Sequence, residues 1–462
     1  METVARKNNG EEPVSEQQKV LQRQKKLQEL LARQTSNNHM RELFTTRRET
    51  VGRAVDSRDY DLRDFNSYPD IKAFNKNKSV ISECDVENPY FRVSDRITGS
   101  HAHIFGRKLI SFSGYNYLGY SGDPFVSEQA KRAIDFYGTS PSASRLASGE
   151  KPVHGELEKA IAKFIGTESA LVFAGGHATN VTVIGHFFNS QDLIIYDELS
   201  HNSVIEGCQL SGARRIAFAH NNMEKCEEII AENIYKYQKI VVVVEGAYSM
   251  DGDLAPLPKL IHMRKKYPIL IYVDEAHSLG TVGQGGRGVS EHYGIDPQDV
   301  DFWMGTLSKS LASNGGYIAG KQSLIDYLKY TTPGFVYAAG ITPANAAAAL
   351  ASLTLLEASN DRVIKLKDNA DYFRVLLREQ GFDIGPSENT PIVPLIVGET
   401  KKAIKLADQL FKVGINVHPM FYPSVPQGEA RLRFFITSAH SREELEYTAE
   451  NIGIFAENLI NA

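Results

Sequence analysis

The pattern of apolar and polar positions changes character near residue 99. Residues 1–15 hold too few apolar positions to join a core and are expected to be disordered. Over 16–33, Val20, Leu27, Leu30 and Leu31 fall on one face of a 3.6-residue period, which predicts an amphipathic helix. Residues 35–88 are polar again and predict a linker with short helices. From about 99 onward, short runs that are apolar on both faces alternate with longer segments. The runs 170–173, 192–196, 240–244 and 269–273 have the length and composition of buried parallel strands. The intervening stretches are long enough for crossover helices, so a doubly wound α/β sheet is expected, with ligands at the carboxyl ends of its strands. A helical run at 344–357 and a second alternating section from 391 predict a smaller C-terminal α/β domain. The expected division is an N-terminal extension over 1–98, a large domain over 99–343 and a small domain over 344–462.

Composition narrows the function. With 462 residues, 42% of them hydrophobic, the chain can build a large core. A formal net charge of -5 gives no polyanion-binding signature, so nucleic acid is not an expected partner. Apolar runs such as 240–244 are of strand length and predict no membrane span. The N-terminus carries no apolar core of a secretory signal. Cys84, Cys208 and Cys226 are scattered, without metal-ligand or disulfide spacing, so no metal is expected and a reducing, cytoplasmic location is.

Five predicted strand ends carry polar residues. In Tyr272-Val-Asp-Glu-Ala-His277 a strand runs straight into Asp274, and His277 follows three residues later. A buried carboxylate needs a partner, and a protonated pyridine nitrogen is a suitable one, although an Asp capping the next turn has the same look. In Trp303-Met-Gly-Thr-Leu-Ser-Lys309 an apolar strand turns small and polar just before a lysine. Held deprotonated in a desolvated site, a lysine can form a Schiff base with an aldehyde. Val172-Phe-Ala-Gly-Gly-His177-Ala-Thr-Asn180 places glycines where a helix starts, which suits an anion or a plain strand-to-helix turn. His201 follows the 192–196 strand and can stack on a flat ring, and Ser249 in Ser249-Met-Asp-Gly-Asp253 can donate to a phenolate oxygen. Each motif alone is weak. Their clustering at one sheet edge is what points to a catalytic centre.

Asp274-Glu-Ala-His277, Gly305-Thr-Leu-Ser-Lys309, Ser249-Met-Asp-Gly-Asp253, Ser113-Gly-Tyr-Asn-Tyr-Leu-Gly119, Arg431-Leu-Arg433 and Ser438-Ala-His440 resemble the α-oxoamine synthases, in residue type and in their order along the chain, over the stretch from about Phe91 to the C-terminus. The resemblance implies fold type I of the pyridoxal-phosphate enzymes, with a mostly parallel seven-stranded sheet and a smaller C-terminal domain. It implies a homodimer and pyridoxal 5'-phosphate as cofactor. The implied reaction is a decarboxylative condensation of an amino acid with an acyl thioester that yields an α-amino ketone. Lys309 matches the Schiff-base lysine, Asp274 the pyridine-nitrogen partner and His201 the ring-stacking histidine. His277 and Ser249 match groups near the phenolate oxygen. Thr306 matches a phosphate contact, and Gly176 with His177 the amides that cradle the phosphate. Arg433 matches the arginine that holds the substrate carboxylate, and Asn116 falls in the substrate-binding segment.

The chain also departs from the better-known members. Residues 138–145 are less glycine-rich, His177 stands where an aromatic residue is common, and 336–342 is poorer in hydroxyls, with Thr342 as the substitute for a phosphate contact across the dimer. These departures resemble synthase domains of polyketide or fatty-acid assembly lines, so the acyl donor is expected on an acyl carrier protein, with CoA as the other carrier. The 16–33 helix is either a docking element for that carrier or a tether. Tyr115, Tyr117, His177 and Phe421 are candidates for lining the substrate pockets. Transamination or simple decarboxylation is the enzymatic alternative, and a cofactor-binding regulator the non-enzymatic one. Glycine, alanine and serine are all open as the amino acid.

Overall fold

The computed structural model describes residue 61 and residues 63–460. The helix expected over 16–33 lies outside them. The chain divides into two compact units, Met1–Val80 and Ile81–Ala462. In the first, the described residues form a 3-10 turn, Phe65–Ser67, whose N-cap Asp64 accepts from the Asn66 amide, and most of the helix Pro69–Ser82. Asp70 sits in the first turn of that helix, where a carboxylate opposes the helix dipole favourably.

The second unit contains fourteen strands among the described residues. Three early strands, β1 (Ser94–Thr98), β2 (His101–Ile104) and β3 (Arg107–Ser111), form an antiparallel meander. Then come β4 (Ser169–Phe173), β5 (Leu193–Asp197), β6 (Arg214–Phe218), β7 (Ile240–Glu245), β8 (Leu270–Asp274), β9 (Phe302–Thr306) and β10 (Gly316–Gly320). These seven make one sheet in the order β4-β10-β9-β8-β7-β5-β6. All adjacent pairs are parallel except those of β10, which runs antiparallel to both β4 and β9. The last four strands are β11 (Ile392–Gly398), β12 (Ile415–Asn416), β13 (His418–Met420) and β14 (Ala430–Phe435). β11, β14 and β13 form an antiparallel sheet, and β12 pairs in parallel with β3. The four-stranded sheet therefore draws on both ends of the second unit.

The large sheet is buried on both faces. Ile240, Val242 and Val244 of β7 join one core cluster with Ile271 and Val273 of β8. Val241 and Val243 join the opposite cluster with Tyr272. Each such side chain contributes about 1.5–3 kcal/mol relative to exposure, and this two-sided demand explains the unbroken apolar runs. Crossover helices such as Gly176–Phe187 and Asn202–Ser211 cover the sheet and start at its carboxyl edge. No helix among the described residues is long and apolar enough to cross a membrane.

Candidate active site

The central strands end level with one another. Glu245 of β7 pairs in register with Asp274 of β8, and Asp274 with Met304 of β9. Thr306 closes β9, and Lys309 follows in the turn beyond it. His201 is the N-cap of the helix after β5, and Gly176 opens the helix after β4. One sheet edge thus collects residues that lie more than a hundred positions apart in sequence.

Hydrogen bonds fix most of these side chains. Asp274 accepts from the Ala276 amide at 2.9 Å and from Asn180 Nδ2 at 2.7 Å. Asn180 Nδ2 also reaches Ser203 Oγ at 2.9 Å, and Ser203 Oγ lies 2.8 Å from His201 Nδ1. The His201 backbone amide donates to the buried Glu245 carboxylate. Across the site, the Tyr117 hydroxyl meets His277 Nδ1 at 2.8 Å, with both residues buried.

Burial governs the electrostatics. Desolvation lowers the Lys309 amine to about 8, against the pull of Asp274 and Glu245, which favour its charged form. His201 and His277 are both pushed down by burial, with the neighbouring Lys309 adding to the effect on each. Burial, then the adjacent Asp274, pushes the Glu245 carboxyl well above its usual range. The site therefore holds two neutral imidazoles near neutral pH and a lysine that loses its proton far more readily than a surface one.

The remaining cation comes from the C-terminal sheet. Arg433 stands on β14 opposite Pro394 of β11 and His418 of β13. Its Nη1 donates to the Ser249 carbonyl at 3.1 Å, and its guanidinium lies 4.5 Å over the Phe435 ring. Nε is buried without a partner among the described residues, which leaves donor capacity for a ligand. Tyr115 connects the two halves, with its ring 5.4 Å from Lys309 Nζ and 4.9 Å, edge-on, from Phe435.

The family model for aminotransferase class I and II matches residues 107–452. An 8-amino-7-oxononanoate synthase of Fervidobacterium nodosum is 39% identical over 355 residues, covering 76% of this chain and 89% of that protein. This chain belongs to the α-oxoamine synthases of that family. The corresponding synthase of Thermosipho melanesiensis is 38% identical over 361 residues, covering 78% of this chain and 92% of the relative. Among solved structures, a Sphingomonas wittichii serine palmitoyltransferase superposes with a TM-score of 0.82 at 31% identity, covering 86% of this chain and 99% of that one. The fold expected from the sequence is the one observed, with its seven-stranded sheet and smaller antiparallel section. The chain is a pyridoxal 5'-phosphate-dependent C-acyltransferase.

The residues of this α-oxoamine synthase fit that cofactor. A Cβ on Gly176 would come within 2.7 Å of Thr306 Oγ1, so only glycine lets the helix N-terminus approach the end of β9 this closely. The resulting corner offers free backbone N–H groups beside a hydroxyl, which suits a phosphate. Asp274 offers a held carboxylate, and Lys309 an amine of lowered basicity.

The other predicted residues have plainer surroundings. His177 is half exposed, with Nε2 3.6 Å from Glu206 and its ring 6.2 Å from that of His201. Ser249 contributes its carbonyl to Arg433. Asn116 Oδ1 accepts from the Ser121 amide, an engagement within its own turn. Thr342 caps the helix Pro343–Ala358 by accepting from the Asn345 amide. Sequence reasoning did not single out Asn180, Ser203 or Glu245 for roles in the site, and it named Tyr117 only as a pocket-lining candidate, not as the partner of His277. Each stood inside or beside a quoted motif, and position beside a strand end was the only available signal.

Proposed function

We propose that Lys309, Asp274, His201, His277, Ser249, Thr306, Gly176 and His177 hold pyridoxal 5'-phosphate, and that Arg433, with Asn116 nearby, binds the amino acid. The observation that carries this reading is Lys309, its amine lowered to about 8 by burial and set beside Asp274 on the same strand ends. When bound, the cofactor supplies an electron sink for the α-carbon of the amino acid. Asp274 would accept from the ring nitrogen and so favour its protonated form. The His201 ring would stack on the cofactor ring, and His277 and Ser249 would serve its phenolate oxygen. Thr306 with the Gly176 and His177 amides receives the phosphate. Arg433 grips both carboxylate oxygens of the amino acid through its planar fork. Lys309 Nζ, its basicity lowered by burial, would remove the α-proton of the bound amino acid and later return one to the same carbon.

The α-carbon then joins the carbonyl carbon of an acyl thioester. The thiolate leaves, the amino-acid carboxyl departs as carbon dioxide, and an α-amino ketone remains. The donor in this reading is an acyl group on a carrier protein, with acyl-CoA as the comparison. The enzyme acts as a cytoplasmic homodimer. Large exposed apolar side chains, including Leu210 at 64% and Tyr337 at 86% exposure, provide surface for a second copy to cover.

The test offers purified enzyme a panel of amino acids with one acyl group, on CoA or on a carrier protein, and follows thiol release. Release that depends on the amino acid is expected, faster with the carrier. Consumption of amino acid with no acyl donor present would instead indicate transamination or simple decarboxylation.

A further inference from the structure

Asn180 lies on the helix Gly176–Phe187 and is 1% exposed. Its amide makes three side-chain bonds, to Asp274 Oδ2 at 2.7 Å, to Ser203 Oγ at 2.9 Å and to the Tyr272 hydroxyl at 2.7 Å. Their directions follow from chemistry. A carboxylate only accepts, so the amide atom facing Asp274 must be the NH2 group. The Tyr272 hydroxyl then donates to Oδ1. The second hydrogen of Nδ2 goes to Ser203 Oγ. Ser203 directs its own hydrogen to the remaining acceptor within reach, His201 Nδ1 at 2.8 Å. The Ser203 amide also donates to Nδ1, at 3.3 Å. A ring nitrogen that accepts from two donors carries no hydrogen, so in the neutral imidazole the hydrogen sits on Nε2.

We propose that Asn180 is a positioning residue: one amide orientation both holds the Asp274 carboxylate and fixes His201 as the Nε2–H tautomer. The proposal rests on the reading of this edge as the cofactor site. It extends that reading because the two groups assigned to the cofactor ring are set by a single side chain that touches neither the ring nor the substrate. Losing Asn180 disturbs both groups, whereas losing Ser203 disturbs only His201.

The test is neutron diffraction on the deuterated, cofactor-loaded enzyme. Deuterium on His201 Nε2 and none on Nδ1 is the expected result, and deuterium on Nδ1 overturns the proposal. Two variants add a solution readout. Asn180→Ala should lower cofactor affinity by roughly tenfold, the consequence of leaving a buried acceptor unpaired, and should shift the His201 ring ¹⁵N resonances toward a tautomer mixture. Ser203→Ala should give the same resonance shift with a smaller loss of affinity. Wild-type affinity and resonances in Asn180→Ala would refute the proposal. Should Asn180→Ala fail to fold, the neutron map and Ser203→Ala decide. None of these readouts requires turnover. A loaded enzyme with the expected tautomer that condenses nothing would therefore refute the proposed reaction and leave this inference standing.

Discussion

The site is assembled from two unlike regions. The carboxyl edge of the seven-stranded sheet supplies Asp274, Thr306 and the turn that bears Lys309. The three-stranded antiparallel sheet supplies Arg433 from within β14. In the first, the candidate residues sit where regular structure stops: the central strands β7, β8 and β9 are apolar up to their last residue, and the titratable groups appear at and just beyond their ends. In the second, the residue proposed to bind the amino acid sits within the strand, one side chain among buried neighbours. A parallel α/β sheet leaves its strand ends free of packing duties, so they accept charged residues at little cost to the core. An antiparallel strand offers no such edge, and its functional residue must be found by its face.

Removing Lys309 should sharpen this contrast most. Lys309→Ala is expected to lower turnover by at least roughly a thousandfold, since in the proposed function the amine is both attachment point and proton carrier. The check is single-turnover thiol release. Near wild-type product formation would remove the core of the account. Arg433→Lys probes the other region. It keeps the charge and removes the fork, so KM for the amino acid should rise roughly 10- to 100-fold with a smaller change in kcat. An equal fall in kcat at unchanged KM would assign Arg433 to the chemical step instead of to substrate binding.

The two regions also differed in how far they could be read from sequence. The runs 170–173, 192–196, 240–244 and 269–273 correspond to β4, β5, β7 and β8 within one residue at each end, because two-sided burial writes itself as continuous apolar sequence. β6 escaped because it is an edge strand carrying Arg214 and Arg215. β10 escaped because glycines bound it: a Cβ on Gly316 would come within 2.6 Å of the Gly176 Cα, and one on Gly320 within 2.5 Å of the Asp301 carbonyl. Arg433 had no periodic signal and was reached only through the family resemblance. Asn180 and Ser203 were hidden for another reason, since their work is to hold other side chains and nothing in residue type or spacing announces it.

A smaller effect is expected at the phosphate corner. Gly176→Ala places a methyl group against Thr306 and should weaken cofactor binding roughly tenfold through overpacking. Fluorescence titration of the unloaded enzyme with cofactor measures it. Unchanged affinity would show that the helix N-terminus does not receive the phosphate.

The smallest effect on turnover, and the one that bears on how the two regions are joined, belongs to His220. Its Nδ1 lies 3.0 Å from Asp197 at the end of β5, and its Nε2 lies 2.9 Å from Asp253. Its ring is edge-on to Tyr248 at 4.5 Å, and Asn221 Nδ2 joins the same Asp253 oxygen. Asp253 closes the loop whose Ser249 and Met250 touch Arg433. Burial opposes the charge on His220, but bonds to the two carboxylates outweigh it and raise the imidazole to about 10. The folded value lies above the unfolded one, so this stabilisation is complete below about 6.5 and fades as pH rises towards 10. His220→Gln should therefore melt earlier than wild type at pH 6, and the difference should shrink steadily up to pH 10. Turnover at neutral pH should fall only a few-fold, mainly through KM for the amino acid, because the loop behind Arg433 loosens while Lys309 and Asp274 keep their own supports. A melting difference that stayed constant over that range would mean that His220 braces the loop by shape alone and carries no charge there.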